Sequence, residues 1–124
     1  MSFQRCQDLL VEAYDYINKG DYQNAINCFD EVLAYGEVPE IINDKGVCLN
    51  ELNRFDEAII CFNRVIDLIN DKSSKFYVMA WYNKGRSFIG LGKNEQALQC
   101  FNIVLDLDPT YENARIAINL IKND

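Results

Sequence analysis

Tyr82 and Arg86 stand four residues apart, so on a helix they share a face within about one turn. These two residue types carry binding energy more often than most. A phenol ring buries area at low entropic cost, and a guanidinium presents a fork of donors. Nothing comparable points to catalysis. The chain has no His, so it holds no Ser/His or Cys/His nucleophile pair and no imidazole metal ligand. Gly85, Gly90 and Gly92 are spaced too irregularly for a phosphate-cradling GxGxxG loop. Asp106, Asp108 and Glu112 form a local carboxylate cluster, but it lacks the glycine and closing Glu of a calcium loop. It reads as a solvated helix end. The five cysteines, Cys6, Cys28, Cys48, Cys61 and Cys100, are odd in number and contain no CxxC. That argues against both a disulfide framework and a zinc site. The expectation is a non-enzyme with no metal and no cofactor.

The elements that must position Tyr82 and Arg86 show in the surrounding spacing. Trp81, Gly85 and Phe88 recur at four and three and share one helix face; Ala97, Phe101 and Val104 do the same on a second. Gly85 and Ala97 are small where two helices must approach, and Trp81, Phe88 and Phe101 fill the space around that contact. Trp81 is therefore expected to be largely buried. Gly90, Gly92 and Lys93 separate the two helices, and Pro109 ends the second.

An Ala-x3-Phe pair occurs three times, as Ala25/Phe29, Ala58/Phe62 and Ala97/Phe101, at spacings of 33 and 39 residues. In the first copy the spacing predicts a helix over about Phe3 to Lys19, with Leu9, Ala13 and Tyr16 facing inward. A turn follows at Gly20, Asp21 caps a second helix, and Gly36 is expected to close it in a left-handed conformation. The second copy opens at Pro39, a favourable first helical residue, with Ile42, Gly46 and Leu49 inward. Asn53 takes the turn place of Gly20 and Gly92, because Asn tolerates positive φ. The longer second spacing falls within Asn70 to Phe76, where Ser73 or Ser74 caps the next helix. A last helix, about Tyr111 to Lys122, turns Ala114, Ala117, Ile118 and Ile121 inward.

The anchors Trp81, Gly85, Phe88, Ala97, Phe101 and Pro109 match the W-x2-L-G-x2-Y…A-x3-F…P pattern, with Lys84 in place of Leu and Phe88 in place of Tyr. The chain thus resembles the tetratricopeptide repeat family, whose period is about 34 residues. The resemblance implies an all-α fold: a right-handed solenoid of antiparallel helix pairs with seven helices. It implies a single domain over 1–124, with repeats at about 6–38, 39–77 and 78–111 and a capping helix at 111–123. Met1 and that helix together suggest a complete small protein.

Composition narrows the partner. The net charge is −7 and the pI about 4.5, which argues against nucleic acid and against anionic membranes. No apolar run approaches the roughly 20 residues of a membrane helix, and the N-terminus has no signal-peptide pattern. Cys28, Cys61 and Cys100 each precede the Phe of a repeat, as small helix-packing residues. Unpaired cysteines of this kind indicate a reducing, cytoplasmic compartment.

The family resemblance also implies a concave surface lined by the first helix of each pair. Carried over, its positions are Gln7, Leu10, Tyr14 and Ile17, then Glu40, Asn43, Val47 and Asn50, then Met79, Tyr82, Arg86 and Ile89, continued by Ile116 and Leu120. The partner-binding set is Leu10, Tyr14, Ile17, Asn43, Val47, Asn50, Met79, Tyr82, Arg86 and Ile89. The row is apolar, with Tyr, Asn and Arg interspersed, and reads as a groove for a peptide or helix of another protein. Asn43 and Asn50 are expected to hold backbone amides of the ligand, and Arg86 an acidic group. The alternative is a self-assembling scaffold, a homo-oligomer pairing through the groove or the cap. Some members of the family grip the acidic C-terminal tails of heat-shock chaperones with Lys and Asn on the first such helix, Asn on the second, and Lys and Arg on the third. The matching positions here are Leu10 and Tyr14, Asp44, and Met79 and Asn83, and none agrees. No chaperone tail is expected to bind.

Overall fold

The computed structural model describes residues 2–123, which form seven helices and no strand. They are α1 (Phe3–Asn18), α2 (Tyr22–Leu33), α3 (Pro39–Glu51), α4 (Phe55–Leu68), α5 (Lys75–Gly90), α6 (Asn94–Leu107) and α7 (Glu112–Lys122). Each packs mainly on its sequence neighbours, and α3 also packs on α5. That next-but-one contact turns a string of hairpins into an all-α solenoid.

The boundaries follow local chemistry. Ser2, Asp21 and Ser74 each accept a backbone N–H of the helix they start. The three tight turns within pairs close through residues at positive φ: Gly20 at 75°, Asn53 at 59° and Gly92 at 73°. The expected Gly36 cap is corrected, because Gly36 does not take a positive φ. α2 ends at Leu33 with Ala34 still in the right-handed region, so no left-handed residue is needed there. The inserted residues between the second and third copies divide between a loop and a longer helix. Asp71 ties the loop by accepting from Ser73 N at 2.9 Å and Oγ at 2.6 Å, and α5 is 16 residues long against 13 for α3. At the next boundary Asp108 makes the same turn with Thr110 N and Oγ1, at 3.0 Å and 2.6 Å.

Three rings form the axis of the core. Phe29, Phe62 and Phe101 are all 0% exposed, one per repeat. A Cβ at Gly46 would lie 2.6 Å from Phe62 Cε1, and one at Gly85 2.6 Å from Phe101 Cε1. The glycines are what let the paired helices close on these rings. Two core clusters result: one joins the first and second repeats, and the other joins the third repeat to α7.

Trp81 is partly buried and packs on the second cluster. Lys84, three residues on in the same helix, sets its Nζ 4.8 Å from the ring centroid, so an ammonium covers part of the ring. The cysteines behave as packing residues. Cys28, Cys48, Cys61 and Cys100 are buried and unbridged. Burial holds all four thiols above their usual range, Cys48 at about 12, and so protonated and weakly nucleophilic. Among the described residues, no helix is long and apolar enough to cross a membrane.

Candidate functional site

The first helix of each pair presents the row in question. Tyr14 and Ile89 are 39% and 41% exposed, and Arg86 is exposed. Leu10, Ile17, Val47, Asn50, Met79 and Tyr82 are half-buried. Beyond them α7 adds Ile116 and Leu120, 47% and 67% exposed.

Asn43 is the exception and corrects the expected role of the asparagines. It is 1% exposed. Because α3 and α5 pack directly, its Oδ1 accepts from Asn83 Nδ2 at 3.1 Å. Asn50 is drawn into the same interface. Its Oδ1 accepts from Ser87 Oγ at 2.7 Å, and its Nδ2 donates to the Asn83 carbonyl at 3.5 Å. These amides therefore lock two helices together instead of waiting for a ligand backbone. Asn83 and Ser87 were missed as partners because spacing within α5 does not reveal which helix their face meets. Removing one member leaves a buried polar group unsatisfied. Asn83→Ala is expected to cost about 1–3 kcal/mol in urea unfolding, and the double variant with Asn43→Ala less than the sum of the two single changes. Additive costs would show that the bond contributes nothing.

The remaining residues do not share one pocket. Tyr82, Arg86 and Ile89 join Ala117, Leu120 and Ile121 of α7 around a depression of about 220 Å³. Arg86 also lines a second depression with Asn50, Glu51 and Phe55. Met79 lies apart, in a depression of about 430 Å³ with Val78, Leu107 and Tyr111. Leu10, Ile17 and Val47 pack against the first core cluster. Tyr82 has a double duty: its ring sits 5.6 Å from that of Phe101 and 5.3 Å from that of Tyr111, centroid to centroid. It anchors α5 to the core as well as facing the depression.

The electrostatics are uneven. Tyr14 packs edge-on against Phe29 at 5.6 Å, and its hydroxyl donates to Asp44 Oδ2 at 2.5 Å. Burial first, then the Asp44 carboxylate, pushes the Tyr14 phenol well above its usual range. Burial, with the neighbouring Glu40, pushes the Asp44 carboxyl up. Four of the five arginines make an ion pair: Arg5 with Glu31, Arg54 with Glu57, Arg64 with Glu37 and Arg115 with Glu112. Among the described residues no ion pair engages Arg86, although Glu51 shares its depression.

Known proteins show a consistent likeness. Two tetratricopeptide repeat profiles match the chain, one over residues 10–73 and the other over 78–111. Serine/threonine-protein phosphatase 5 of rat is 23% identical over 116 residues, as are the mouse and human proteins. The match covers 93% of this chain but only 22% of the rat enzyme, so the chain spans about one fifth of these relatives. Among solved structures, the second TPR domain of human RPAP3, in complex with the HSP70 peptide SGPTIEEVD, superposes with a TM-score of 0.82 at 23% identity, covering 96% of each chain. The first TPR of Spaghetti (RPAP3), bound to the HSP90 peptide SRMEEVD, also reaches 0.82 at 23% identity, over 99% of this chain and 94% of that one. The Arabidopsis OM64 TPR domain reaches 0.84 at 16% identity, over 97% and 96%. At these identities the likeness to solved structures is one of fold.

Proposed function

The chain belongs to the tetratricopeptide repeat family, and from that premise we propose that it is a non-catalytic interaction module. Its repeats, about 6–38, 39–77 and 78–111 with a closing helix at 111–123, form a groove that holds a peptide or helical segment of another protein. The partner-binding residues are Leu10, Tyr14, Ile17, Val47, Met79, Tyr82, Arg86 and Ile89. The observation that carries this reading is the depression between α5 and α7. It sets the Arg86 guanidinium, which no ion pair among the described residues engages, beside Ile89 and Leu120, an arrangement that favours a ligand with apolar side chains and an acidic group. The unbridged, protonated thiols support a reducing, cytoplasmic setting.

Two of the similar domains hold chaperone peptides ending in EEVD. We do not extend that ligand to this chain. Asp44 and Glu40 lie where a second carboxylate would need a cation, and their carboxylates would repel it. Calorimetric titration with SGPTIEEVD is expected to show no saturable heat, and micromolar affinity would overturn this.

The central test is selection of random twelve-residue peptides displayed on phage against the wild-type protein, with light scattering at several protein concentrations. A module of this kind stays monomeric and recovers peptides rich in apolar residues, which compete with one another. Exposed Ile116 and Leu120 on α7 give the self-assembling scaffold its footing. Mass that rises with concentration, together with no recovered peptide, would establish that alternative and end the first.

A further inference from the structure

Resting on the groove reading, we propose that the segment held there is bipolar: it carries a Lys or Arg side chain for the Tyr14–Asp44–Glu40 end and an acidic group for Arg86. The two ends are independent observations. At one end, Glu40 and Asp44 stand four apart on α3 and share a face, bordered by the 39% exposed Tyr14. The carboxylates acting on Tyr14 are Asp44 and Glu40, the one acting on Asp44 is Glu40, and no cation acts on either. The Tyr14 hydroxyl bond occupies Asp44 Oδ2, and no ion pair among the described residues engages Asp44 or Glu40. Lys45, next in sequence, is turned away and pairs with Asp30 at 2.7 Å.

At the other end, no carboxylate among the described residues forms an ion pair with Arg86 of α5, as one does with each of the other four arginines. α3 and α5 are in contact, with axes roughly 8–10 Å apart, and Arg86 lies level with Asn50 and Glu51, about 9 Å along α3 from Asp44, so the two ends are separated by more than one helix diameter. Side chains several residues apart on an extended or helical ligand span that distance. Half-buried Leu10, Val47 and Tyr82 offer apolar surface along the same row. An isolated acidic pair would only collect solvent cations. An acidic end and a basic end on one apolar row select one charge order along a chain, and so fix the direction in which it lies. The net charge of −7 favours approach of a segment that is cationic overall.

The test uses the same displayed library of random twelve-residue peptides. Wild type is expected to enrich Lys or Arg at one position and Asp or Glu at another, several residues away. For the best such peptide, replacing its basic residue with norleucine should weaken binding to wild type at least about tenfold, since a hydrogen-bonded ion pair is lost. The same norleucine peptide should bind wild type and Glu40→Gln/Asp44→Asn equally, because the charge it lacks has no partner to lose. Asp44→Lys should shift the enrichment at that position to acidic residues. Norleucine on the wild-type protein needs no variant to fold, so this arm reads out in any case. Apolar peptides that compete for the groove, yet bind equally well with norleucine, would overturn the bipolar assignment and leave the groove standing. No recovered peptide at all would remove both readings.

Discussion

Phe62→Ala is expected to lower stability by about 3–5 kcal/mol, the range for truncating a buried aromatic residue. Phe62 is 0% exposed and sits in the middle repeat, against the backbone of Gly46. A domain of this size has only about 5–15 kcal/mol in total. The melting temperature should fall by on the order of 10 °C or more. A second substitution identifies the cause. In the wild-type background Gly46→Ala drives its Cβ to 2.6 Å from the Phe62 ring. That overpacking, about 1–3 kcal/mol, outweighs the roughly 1 kcal/mol of helix propensity gained over glycine. In the Phe62→Ala background the clash is gone, and the same Gly46→Ala should become stabilising by about 1 kcal/mol. Urea unfolding of the four proteins reads both numbers. A loss below about 1 kcal/mol for Phe62→Ala, or a Gly46→Ala effect of the same sign in both backgrounds, would show that ring and glycine are not the contact that holds the pair together.

Arg86→Ala is expected to weaken a selected groove peptide by about 2 kcal/mol or more, roughly thirtyfold in Kd, with little change in melting temperature. The choice of Arg86 over Tyr82 rests on packing. Tyr82 touches the rings of Phe101 and Tyr111, so its truncation would mix lost binding with lost stability. Arg86 is exposed, and no ion pair among the described residues engages it, so its removal should leave stability within about 0.5 kcal/mol. Isothermal titration of wild type and variant, with thermal unfolding of each alone, separates the two effects. Equal affinity in both proteins would remove Arg86, and the depression it lines with Ile89 and Leu120, from the binding surface.

Most of the architecture was legible in the residues because it is built from local rules. The three Ala-x3-Phe pairs mark three buried rings; Asp21, Pro39 and Ser74 start helices; and Asn53 turns where glycine turns elsewhere. Each of these depends on residues within a turn or two of one another. Trp81 is partly buried against the second cluster, and Lys84, three residues on in the same helix, covers part of its ring, a contact that is itself local. Gly36 was misjudged because a helix can also end without a left-handed residue.

What the sequence by itself determined is the register of three helix pairs and a closing helix, and the set of side chains available to the inner row. Which of them remain free was decided only by tertiary structure. Asn43 is engaged by Asn83 and Asn50 by Ser87, 40 and 37 residues away. Asp44 is engaged by Tyr14, 30 residues away, while no ion pair among the described residues engages Arg86. The physical reason is that helical periodicity is set by hydrogen bonds four residues apart. The partner of a side chain on the inner row is set by the rotation and rise between stacked pairs, which place α3 against α5 and bring distant residues within hydrogen-bonding reach.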